Sequence, residues 1–538
     1  MTPSGRGVDR PSIDWAAVSI VLLALAFRLY RLDVPFVDGH SWRQVTNADI
    51  ARHFTEGSLN LFLPRVSWGG INGVVGMEFP LLQYLTGLLW IVTGESHVVG
   101  RLVATAFSLS AVITIYFLGT RLYGRPAGRA AAFLLAVSPG AVYFGRAFMS
   151  DTPMMALMIA AVLAWDRYFE RPTRSGVWIA GGLTALAGLV KLPAILVLAP
   201  VTGIAWSRRG WSGLWDRAML TACTAAVAVI VAWYWYADWI YLQTGLTQAV
   251  FRPSGTYPQL LAPGVVYTSI SHFATAERLI DPWFWWEIVL RFWRLHLTPL
   301  GFLAVAVAPI FLWRKRHAGV VGLWTLGGFA LLVVSAEGQW NHEFHQLPFM
   351  PPLFLAFGVV AAPLFDGAFL ARFAPRQMAL AITSIALVCA SLLGFFESYV
   401  LPHLYRVSDD GPAAVHFLDF GTVVQATLPP DALLVTVDYE RGGANSPMLL
   451  YFGRRQGWSF DITSISPYVI ESLRANHGAR YFVTSILEEL EPMRVDVMDY
   501  LAQFERVETP ERFNRLMIVD LQRPVATSAP PRPQSPEK

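Results

Sequence analysis

Cysteine and charge are both scarce in this chain. Only two cysteines occur among its 538 residues, Cys223 and Cys389, and both lie within apolar runs, which excludes a disulfide framework and a cysteine-based metal site. Charged residues make up 15% of the chain and apolar residues 54%. A typical soluble domain has about 25% charged residues, so the composition predicts an integral membrane protein. The net charge of +3 is too small to indicate nucleic-acid binding, and we expect no nucleic-acid partner.

Long apolar stretches dominate the first three quarters of the chain. A helix needs about 20 apolar residues to span a bilayer. Eleven stretches approach or exceed that length: Ile13–Leu32, Gly100–Thr120, Ala130–Phe144, Thr152–Phe169, Val177–Val190, Pro193–Trp206, Ala218–Tyr241, Pro299–Trp313, Val320–Val334, Pro348–Leu364 and Ala379–Phe396. With eleven spans, the basic clusters between them all fall on the side of the N-terminus, as the positive-inside trend requires of cytoplasmic segments.

Two further apolar segments are not counted as spans. Phe79–Val92 is about fourteen residues long, which is more typical of a re-entrant or interfacial helix. Residues 33–100 therefore form one large extracytoplasmic loop. Pro282–Leu297 is rich in aromatic residues and carries three charged ones, which favours an interfacial amphipathic helix over a plain buried one.

The composition changes after residue 396. Strand-like segments occur at Leu433–Val437, Tyr481–Thr484 and Arg515–Val519, and helix-like ones at Pro447–Arg455, Pro467–Asn476 and Glu488–Phe504. The alternation predicts a small extracytoplasmic α/β domain over residues 397–521 and a disordered Pro- and Ser-rich tail over 522–538. The fold class is thus a polytopic α-helical membrane protein with about 11 transmembrane helices in residues 13–396 and residues 1–12 in the cytoplasm.

A polar island, Val37–Gln44, follows the first span directly. Ionisable groups at a membrane interface are costly and mark functional sites. Asp38 is placed to act as a general base, with N-capping of the helical run Ser41–Phe54 as the alternative. Arg43 is suited to clamping a phosphate, with snorkelling to headgroups as the alternative. His40 and Gln44 in this island, and Glu78 further along the same predicted loop, are additional candidate substrate-binding residues.

Three more ionisable residues lie at the predicted outer ends of spans. Arg146 and Asp151 flank a turn between two spans, where capping by Ser150 or Asp151 does not explain the arginine. Lys191 interrupts an apolar run and requires a paired charge or a bound anion, unless it snorkels to the interface.

Paired histidines, His342 and His345, form the last candidate group. Their spacing does not match a known metal motif, so we expect hydrogen bonding to a sugar or to the membrane interface and assign no metal ligand, with a bound divalent metal as the open alternative. The span count places this segment on the same side of the membrane as the polar island, Arg146, Asp151 and Lys191. Since the count did not use their chemistry, the agreement supports one shared site.

These residues, in this order, resemble the membrane glycosyltransferases of the GT-C fold. The likeness is greatest to the bacterial branch of glycosyltransferase family 39, which includes protein O-mannosyltransferases and lipid A aminoarabinose transferases. The segments that carry it are Asp38, the block Glu78-Phe79-Pro80-Leu81-Leu82, Arg101, SPGAVYFGRAFMSDTPM, ALAGLVKLPAILVLAP and FHQLPFMPPL. The resemblance implies an inverting transfer of one sugar from a polyprenyl-phosphate donor to an extracytoplasmic acceptor, within a bacterial inner membrane.

The resemblance also implies roles for single residues. Asp38 matches the first-loop acid, the expected base; Asp151 matches the second acid, which orients the substrate; and Lys191 matches the lysine near the donor phosphate. Two departures are visible: the family often has Asp-Glu where this chain has Asp38-Gly39, and Lys-Pro-Pro where it has Phe79-Pro80-Leu81. The missing cation is expected to be replaced by Arg43 or His40.

Two other functions compete with this one. A lipid-linked glycan transporter or a non-catalytic membrane scaffold would also be polytopic, but transporters tend to have internal repeats and charges at the bilayer midplane, and no repeat is visible here. A transferase that moves a whole oligosaccharide would use the same fold, and the sequence does not exclude it.

Overall fold

The structure, a computed structural model, describes residues 13–248, 272–372, scattered positions between 375 and 394, and residues 400–406, 415–439 and 446–525. Its α-helices are α1 Trp15–Leu29, α2 Ser41–Glu56, α3 Leu81–Thr93, α4 His97–Tyr123, α5 Arg125–Val137, α6 Pro139–Arg146, α7 Asp151–Glu170, α8 Arg174–Val190, α9 Leu198–Arg209, α10 Trp211–Leu214, α11 Arg217–Thr244, α12 Ala276–Ile280, α13 Pro282–Arg291, α14 Thr298–Leu312, α15 Ala318–Val334, α16 Ala336–Asn341, α17 Met350–Ala361, α18 Gly367–Leu370, α19 His416–Thr427, α20 Met448–Gly453, α21 Pro467–His477, α22 Leu487–Met493 and α23 Val495–Leu501. Short 3₁₀ segments are Leu192–Val197, Glu343–Phe349, Ala362–Phe365 and Glu511–Phe513, and π-turns are Phe292–His296 and Val400–Leu404.

The predicted spans correspond to helices wherever the structure describes them. Among the described residues, three helices are long and apolar enough to cross a membrane, or up to five if each sharply bent pair is one span. The predicted count of about 11 is therefore not confirmed. The predicted last span, Ala379–Phe396, lies mostly outside the described residues, as do residues 1–12 and 526–538. The tail prediction was wrong at its start, because Gln522–Pro524 continue the final strand.

Two compact units make up the chain. The first comprises Met1–Thr55, Glu78–Trp235 and Ser271–Arg406, and the second Glu56–Met77, Tyr236–Ile270 and Val407–Lys538. The second unit thus includes part of the predicted first outer loop and the end of α11, in addition to the C-terminal segment. The first unit contains all ten candidate site residues from the sequence.

A sharp bend between two helices of the first unit sets the position of one candidate residue, Arg146. The predicted span Ala130–Phe144 is not one helix: α5 and α6 meet at an angle of 65° around Ser138 and Pro139. Proline cannot donate a backbone hydrogen bond, and a break leaves carbonyl groups unsatisfied. The guanidinium of Arg28, fully buried in α1, donates to the carbonyls of Leu135 at 3.1 Å and Ala136 at 3.0 Å. The buried arginine therefore stabilises the bend that aims α6, and with it Arg146.

A second helix break lies at Lys191, the residue that the sequence predicts to bind the donor phosphate. α8 ends at Val190, Lys191 has an extended backbone with φ of −161°, and a 3₁₀ turn begins at Leu192 with Pro193 in its first turn. Pro193 has no amide hydrogen to donate to the carbonyl of Leu189, which accepts from the amide of Phe79 at 2.9 Å instead, so the helix does not continue. Lys191 therefore lies at a junction, where its side chain is not confined to a helix surface.

The second unit carries a five-stranded sheet in the order β2-β1-β3-β5-β4. The strands are β1 Leu433–Val437, β2 Gln456–Phe460, β3 Tyr481–Thr484, β4 Phe504–Val507 and β5 Met517–Pro524. β1 pairs in parallel with β2 and β3, whereas β5 pairs antiparallel with β3 and β4. The predicted bounds of β1 and β3 are confirmed. Two strands were missed, and the predicted helix Glu488–Phe504 is instead α22 and α23, followed by β4.

The segment between α2 and α3 covers the edge of this sheet. The amide of Gly70 donates to the carbonyl of Gly457 on β2 at 2.7 Å, and the amide of Gly457 donates to the carbonyl of Ser67 at 2.9 Å. Unpaired edge strands invite aggregation, and this loop segment satisfies the exposed edge of β2. Gly70 has a φ of +69°, and a Cβ there would lie 2.8 Å from Cζ2 of Trp458. Both the conformation and the close contact require glycine.

We predict that Gly70→Ala destabilises the protein by more than the about 1–2 kcal/mol expected for an L-residue in the left-handed region, since the methyl group also displaces Trp458. Gly94→Ala is the matched control, because Gly94 has a φ of +76° but no heavy atom lies within 4 Å of the place that its added methyl group would occupy. Thermal unfolding in detergent should rank wild type above Gly94→Ala and Gly94→Ala above Gly70→Ala. Equal melting temperatures for the two variants would contradict the contact with Trp458.

Candidate active site

Asp38 lies at the centre of a buried ion-pair cluster. Its Oδ1 accepts from Nη2 of Arg101 at 3.1 Å and from Nε2 of Gln44 at 2.7 Å, and its Oδ2 accepts from Nη2 of Arg146 at 2.5 Å. The cluster joins the loop between α1 and α2 to α4 and α6, because Arg101 also donates to the carbonyls of Val34 and Pro35. Charge-assisted bonds of this kind are among the strongest in proteins.

The environment of Asp38 keeps it ionised. Only 3% of the residue is exposed. Burial opposes ionisation, but Arg101 and Arg146 outweigh it and hold the pKa of Asp38 below its ordinary value. The interpretation of Asp38 as a helix N-cap was wrong, because its carboxylate bonds to side chains and α2 begins three residues later.

The backbone beside Asp38 explains one departure from the family pattern. The amide of Gly39 donates to the carbonyl of Leu404 at 2.8 Å, and the hydroxyl of Tyr143 donates to the carbonyl of Gly39 at 2.5 Å. A Cβ on Gly39 would lie 2.9 Å from both the carbonyl oxygen of Leu404 and the hydroxyl oxygen of Tyr143. A glutamate at this position would not fit without moving one of these elements, so the glycine is a packing requirement.

A second cluster surrounds Lys191. Its Nζ bonds to Oδ1 of Asp151 at 2.6 Å and lies 5.1 Å from the ring centroid of Phe344. The structure thus brings together the candidate acid Asp151, at the start of α7, and the candidate phosphate-binding residue Lys191, directly after the end of α8. Snorkelling, the alternative for Lys191, is not what the structure shows. Capping by Ser150 is also wrong, because its side chain makes no cap hydrogen bond.

Arg43 and Glu78 belong to this same cluster. Among the described residues, Arg43 has no hydrogen-bond or ion-pair partner. Burial raises the pKa of Glu78, while the positive charges of Lys191 and Arg43 act in the opposite direction. The two cations therefore act on one carboxyl group, and the guanidinium is available to bind an anion.

Three histidines, His272, His342 and His345, complete the second cluster. Burial, with the positive charges of Arg43 and Lys191, lowers the pKa of His272 to about 4. Burial, with His40 and Arg43, lowers the pKa of His342 to about 3. The ring centroid of His345 lies 5.4 Å from those of His272 and His342. His272 and His342 are therefore neutral at physiological pH and suited to hydrogen bonding.

His40 connects this cluster to the loop that carries Asp38. Its Nε2 lies 3.0 Å from Oε1 of Glu343, and its ring centroid lies 4.9 Å from that of Phe344. In the part of the chain that the structure describes, no group of three or more His, Cys, Asp or Glu side chains is arranged to hold a metal ion.

Three residues of these two clusters were not predicted from the sequence as site members. Arg101 was recognised only as part of a motif, yet an arginine within an apolar run requires an acidic partner, and that signal was available. His272 lies in a long loop without pattern. Phe344 is one apolar residue among many, so only its position between His342, Lys191 and His40 identifies it.

We predict that Asp38→Asn lowers the free energy of unfolding by about 3–5 kcal/mol, because it leaves two buried guanidinium groups without a counter-charge. Asp33→Asn, an exposed position in the same loop, is the control and should be neutral. Since the folded-state pKa of Asp38 is lowered, its stabilising effect is present at neutral pH and is lost as the pH falls through that value. Detergent unfolding of the wild type should therefore show an acid-labile component that Asp38→Asn lacks.

The chain is similar to known membrane enzymes in sequence and fold. Residues 78–235 match the family model described as dolichyl-phosphate-mannose-protein mannosyltransferase. No curated protein sequence matches the chain significantly.

Solved structures match along most of the chain. ArnT from Cupriavidus metallidurans in the apo state has a TM-score of 0.59 at 15% identity, covering 93% of this chain and 97% of that one. The same protein bound to undecaprenyl phosphate has a TM-score of 0.60 at 14% identity, covering 94% and 98%. The archaeal oligosaccharyltransferase AglB from Archaeoglobus fulgidus, in complex with an inhibitory peptide and a dolichol-phosphate, has a TM-score of 0.54 at 11% identity, covering 91% and 72%. The chain is a membrane protein with the GT-C glycosyltransferase fold, similar to glycosyltransferase family 39.

Proposed function

We propose that this protein transfers a single sugar, with inversion, from a polyprenyl-phosphate donor to an acceptor at the extracytoplasmic face of a bacterial inner membrane. The observation that carries the proposal is the pair of cations, Lys191 and Arg43, beside two carboxyl groups, with the Arg43 guanidinium free of any described partner. An arginine near the membrane that lacks a hydrogen-bonded carboxylate is a candidate ligand for an anion.

A lipid-linked phosphodiester fits this charge pattern. It carries one negative charge when it binds, and a second develops on the phosphate as the bond to the sugar breaks. Lys191 is already paired with Asp151 at 2.6 Å, so Arg43 supplies the additional positive charge. Groups placed in advance where charge develops usually make the largest contribution to catalysis. We therefore assign Arg43 and Lys191 to the leaving phosphate and Asp151 to the orientation of Lys191.

The remaining polar groups fit a sugar. Glu78, with its raised pKa, and the neutral histidines His342 and His345 supply donors and acceptors around the ring of Phe344. Aromatic faces with a few placed polar groups are typical of small-molecule sites. The similar structures support the donor class, because ArnT was solved with undecaprenyl phosphate and AglB with a dolichol-phosphate and a peptide.

The role that the resemblance implied for Asp38 conflicts with its contacts. Both carboxylate oxygens accept from arginines, and a base that takes up a proton there would have to break an ion pair. We propose instead that Asp38 and Gln44 position Arg101, Arg146 and the loop that carries the site. Asp38→Asn is expected to lose stability in either case, so the rate profile separates the two roles: a positioning variant keeps the acid limb in its residual activity, whereas a base variant loses it.

We predict that Arg43→Ala and Lys191→Ala each lower sugar transfer by about 10²–10³-fold, as expected when one group that stabilises developing charge is removed. Purified protein with radiolabelled polyprenyl-phosphate sugars, scored for sugar released from the lipid, provides the measurement. Both variants should also lose competition by undecaprenyl phosphate.

Arg174→Ala and Lys315→Ala, both at exposed positions distant from the cluster in sequence, are the matched controls and should retain wild-type transfer. Lipid binding by the wild type without any sugar release would contradict the proposal and favour transport or scaffolding. Transfer only from an oligosaccharide-linked lipid would contradict the single-sugar assignment.

A further inference from the structure

His40 is held in a strained backbone conformation. Its φ is +55°, in the left-handed region that costs a non-glycine residue about 1–2 kcal/mol. The flanking bonds enforce it: the amide of Gln44 donates to the carbonyl of His40 at 3.1 Å, and Gly39 is anchored to Leu404 and Tyr143. Strain that is held by surrounding structure concentrates at functional sites. The position in which this strained backbone holds the imidazole is therefore of functional interest.

The conformation brings the imidazole to a buried carboxylate. Nε2 of His40 lies 3.0 Å from Oε1 of Glu343, and the side chains are 17% and 9% exposed. Because an ionised carboxylate only accepts, Nε2 carries the proton and Nδ1 keeps its lone pair. Glu343 thus orients the ring and would stabilise an imidazolium, as the acid of a carboxylate–histidine pair does in other enzymes.

The ring of Phe344 places this pair beside the proposed phosphate site. The His40 ring meets it edge-on with centroids 4.9 Å apart, and Nζ of Lys191 lies 5.1 Å from the same centroid. His342 stacks on the same ring at 4.9 Å. An imidazole and an ammonium group therefore lie beside the same aromatic ring.

We propose that His40, oriented by Glu343, is the general base that deprotonates the acceptor. This inference rests on the proposed function and assigns to His40 the role that the family resemblance implied for Asp38. His40 is a catalytic residue in this scheme, and Glu343 is a positioning residue that acts through it.

The reaction step is a single displacement. The acceptor oxygen attacks C1 of the sugar, and its proton passes to Nδ1 of His40 as the new C–O bond forms. The bond from C1 to the phosphate oxygen breaks, and its electron pair stays on the polyprenyl phosphate, where Lys191 and Arg43 neutralise the added charge. The imidazolium, paired with Glu343, then releases its proton to water.

Other carboxyl groups are less suited to this role. Asp38 is saturated by two arginines, and Asp151 is paired with Lys191. Glu78 has no described hydrogen bond and is the strongest rival, but Lys191 and Arg43, the two groups assigned to the phosphate, both act on it. Glu78→Gln therefore belongs in the test.

The test uses variants that respect the backbone of His40. Asn and Gly both tolerate the left-handed region, so His40→Asn and His40→Gly remove the base without adding strain. We predict that each lowers transfer of radiolabelled sugar from polyprenyl phosphate by about 10²–10⁴-fold, the usual contribution of a general base. His477→Asn, at an exposed helix end, is the control and should retain full activity.

Two readouts separate a base from a structural residue. Added imidazole should restore part of the activity of His40→Gly, because that variant leaves space for it, but not of His477→Asn or Glu78→Gln. The acid limb of the rate profile should disappear in His40→Asn. In Glu343→Gln it should move to lower pH, because an imidazolium without its carboxylate is less stable and fewer molecules hold the proton at a given pH.

The acid limb assigned to His40 has to be distinguished from effects of neighbouring ionisable groups on the rate. Those on the elements that pack against His40 are Asp38, Arg43, Tyr143, Arg146, His342, Glu343, His345 and Tyr405. His342→Asn should therefore be profiled alongside, and its acid limb should match the wild type. Undecaprenyl phosphate binding and the melting temperature confirm that each variant is folded.

The outcomes distinguish this inference from the function on which it rests. Near-normal turnover of His40→Asn, or inactivity of His40→Gly that imidazole does not relieve, overturns the base assignment while wild-type transfer still supports the proposed function. An inactive Glu78→Gln beside an active His40→Asn would assign the base to Glu78. Absence of transfer by the wild type from every donor tested would overturn both.

Discussion

The Asp38 carboxylate between Arg101 and Arg146 is the interaction on which the rest of the site depends. It joins the loop after the first helix to α4 and α6, and none of the three side chains is more than 3% exposed. Two guanidinium groups in an apolar interior are costly unless a carboxylate compensates them. The geometry of Gly39, His40 and the start of α2 follows from this buried anchor.

The polar residues of this protein are divided between two tasks. Asp38, Gln44 and Arg146 are joined through the Asp38 carboxylate and hold the framework, whereas Arg43 and Glu78 retain capacity to bind a ligand. This division has a physical basis, because a carboxylate that is already paired with two guanidinium groups offers little to a substrate. The helix break at Ser138 directs Arg146 to Asp38, and the break at Lys191 places that lysine beside Asp151 in the second cluster.

Local pattern predicted the elements well where hydrophobicity alone selects them. β1 and β3 have the predicted bounds, since both are short, buried and rich in apolar residues. β2 was missed because Gly457 and polar residues obscure its pattern. The glycine is required by the packing of the sheet, since a Cβ on Gly457 would lie only 1.9 Å from the carbonyl oxygen of Leu434. The bend at Ser138 was missed because the apolar run continues through it, and only the contacts of Arg28 show why it is stable.

The sequence by itself determined that the chain is a membrane protein, which residues are chemically suited to a site, and which family it resembles. These properties follow from composition, from the cost of charge near lipid and from the order of motifs. Only the tertiary structure decided how the charges pair, because pairing joins residues more than a hundred positions apart, as with Asp38 and Arg146. It thereby separated the saturated Asp38 from the available Arg43, a distinction that residue type and spacing do not contain.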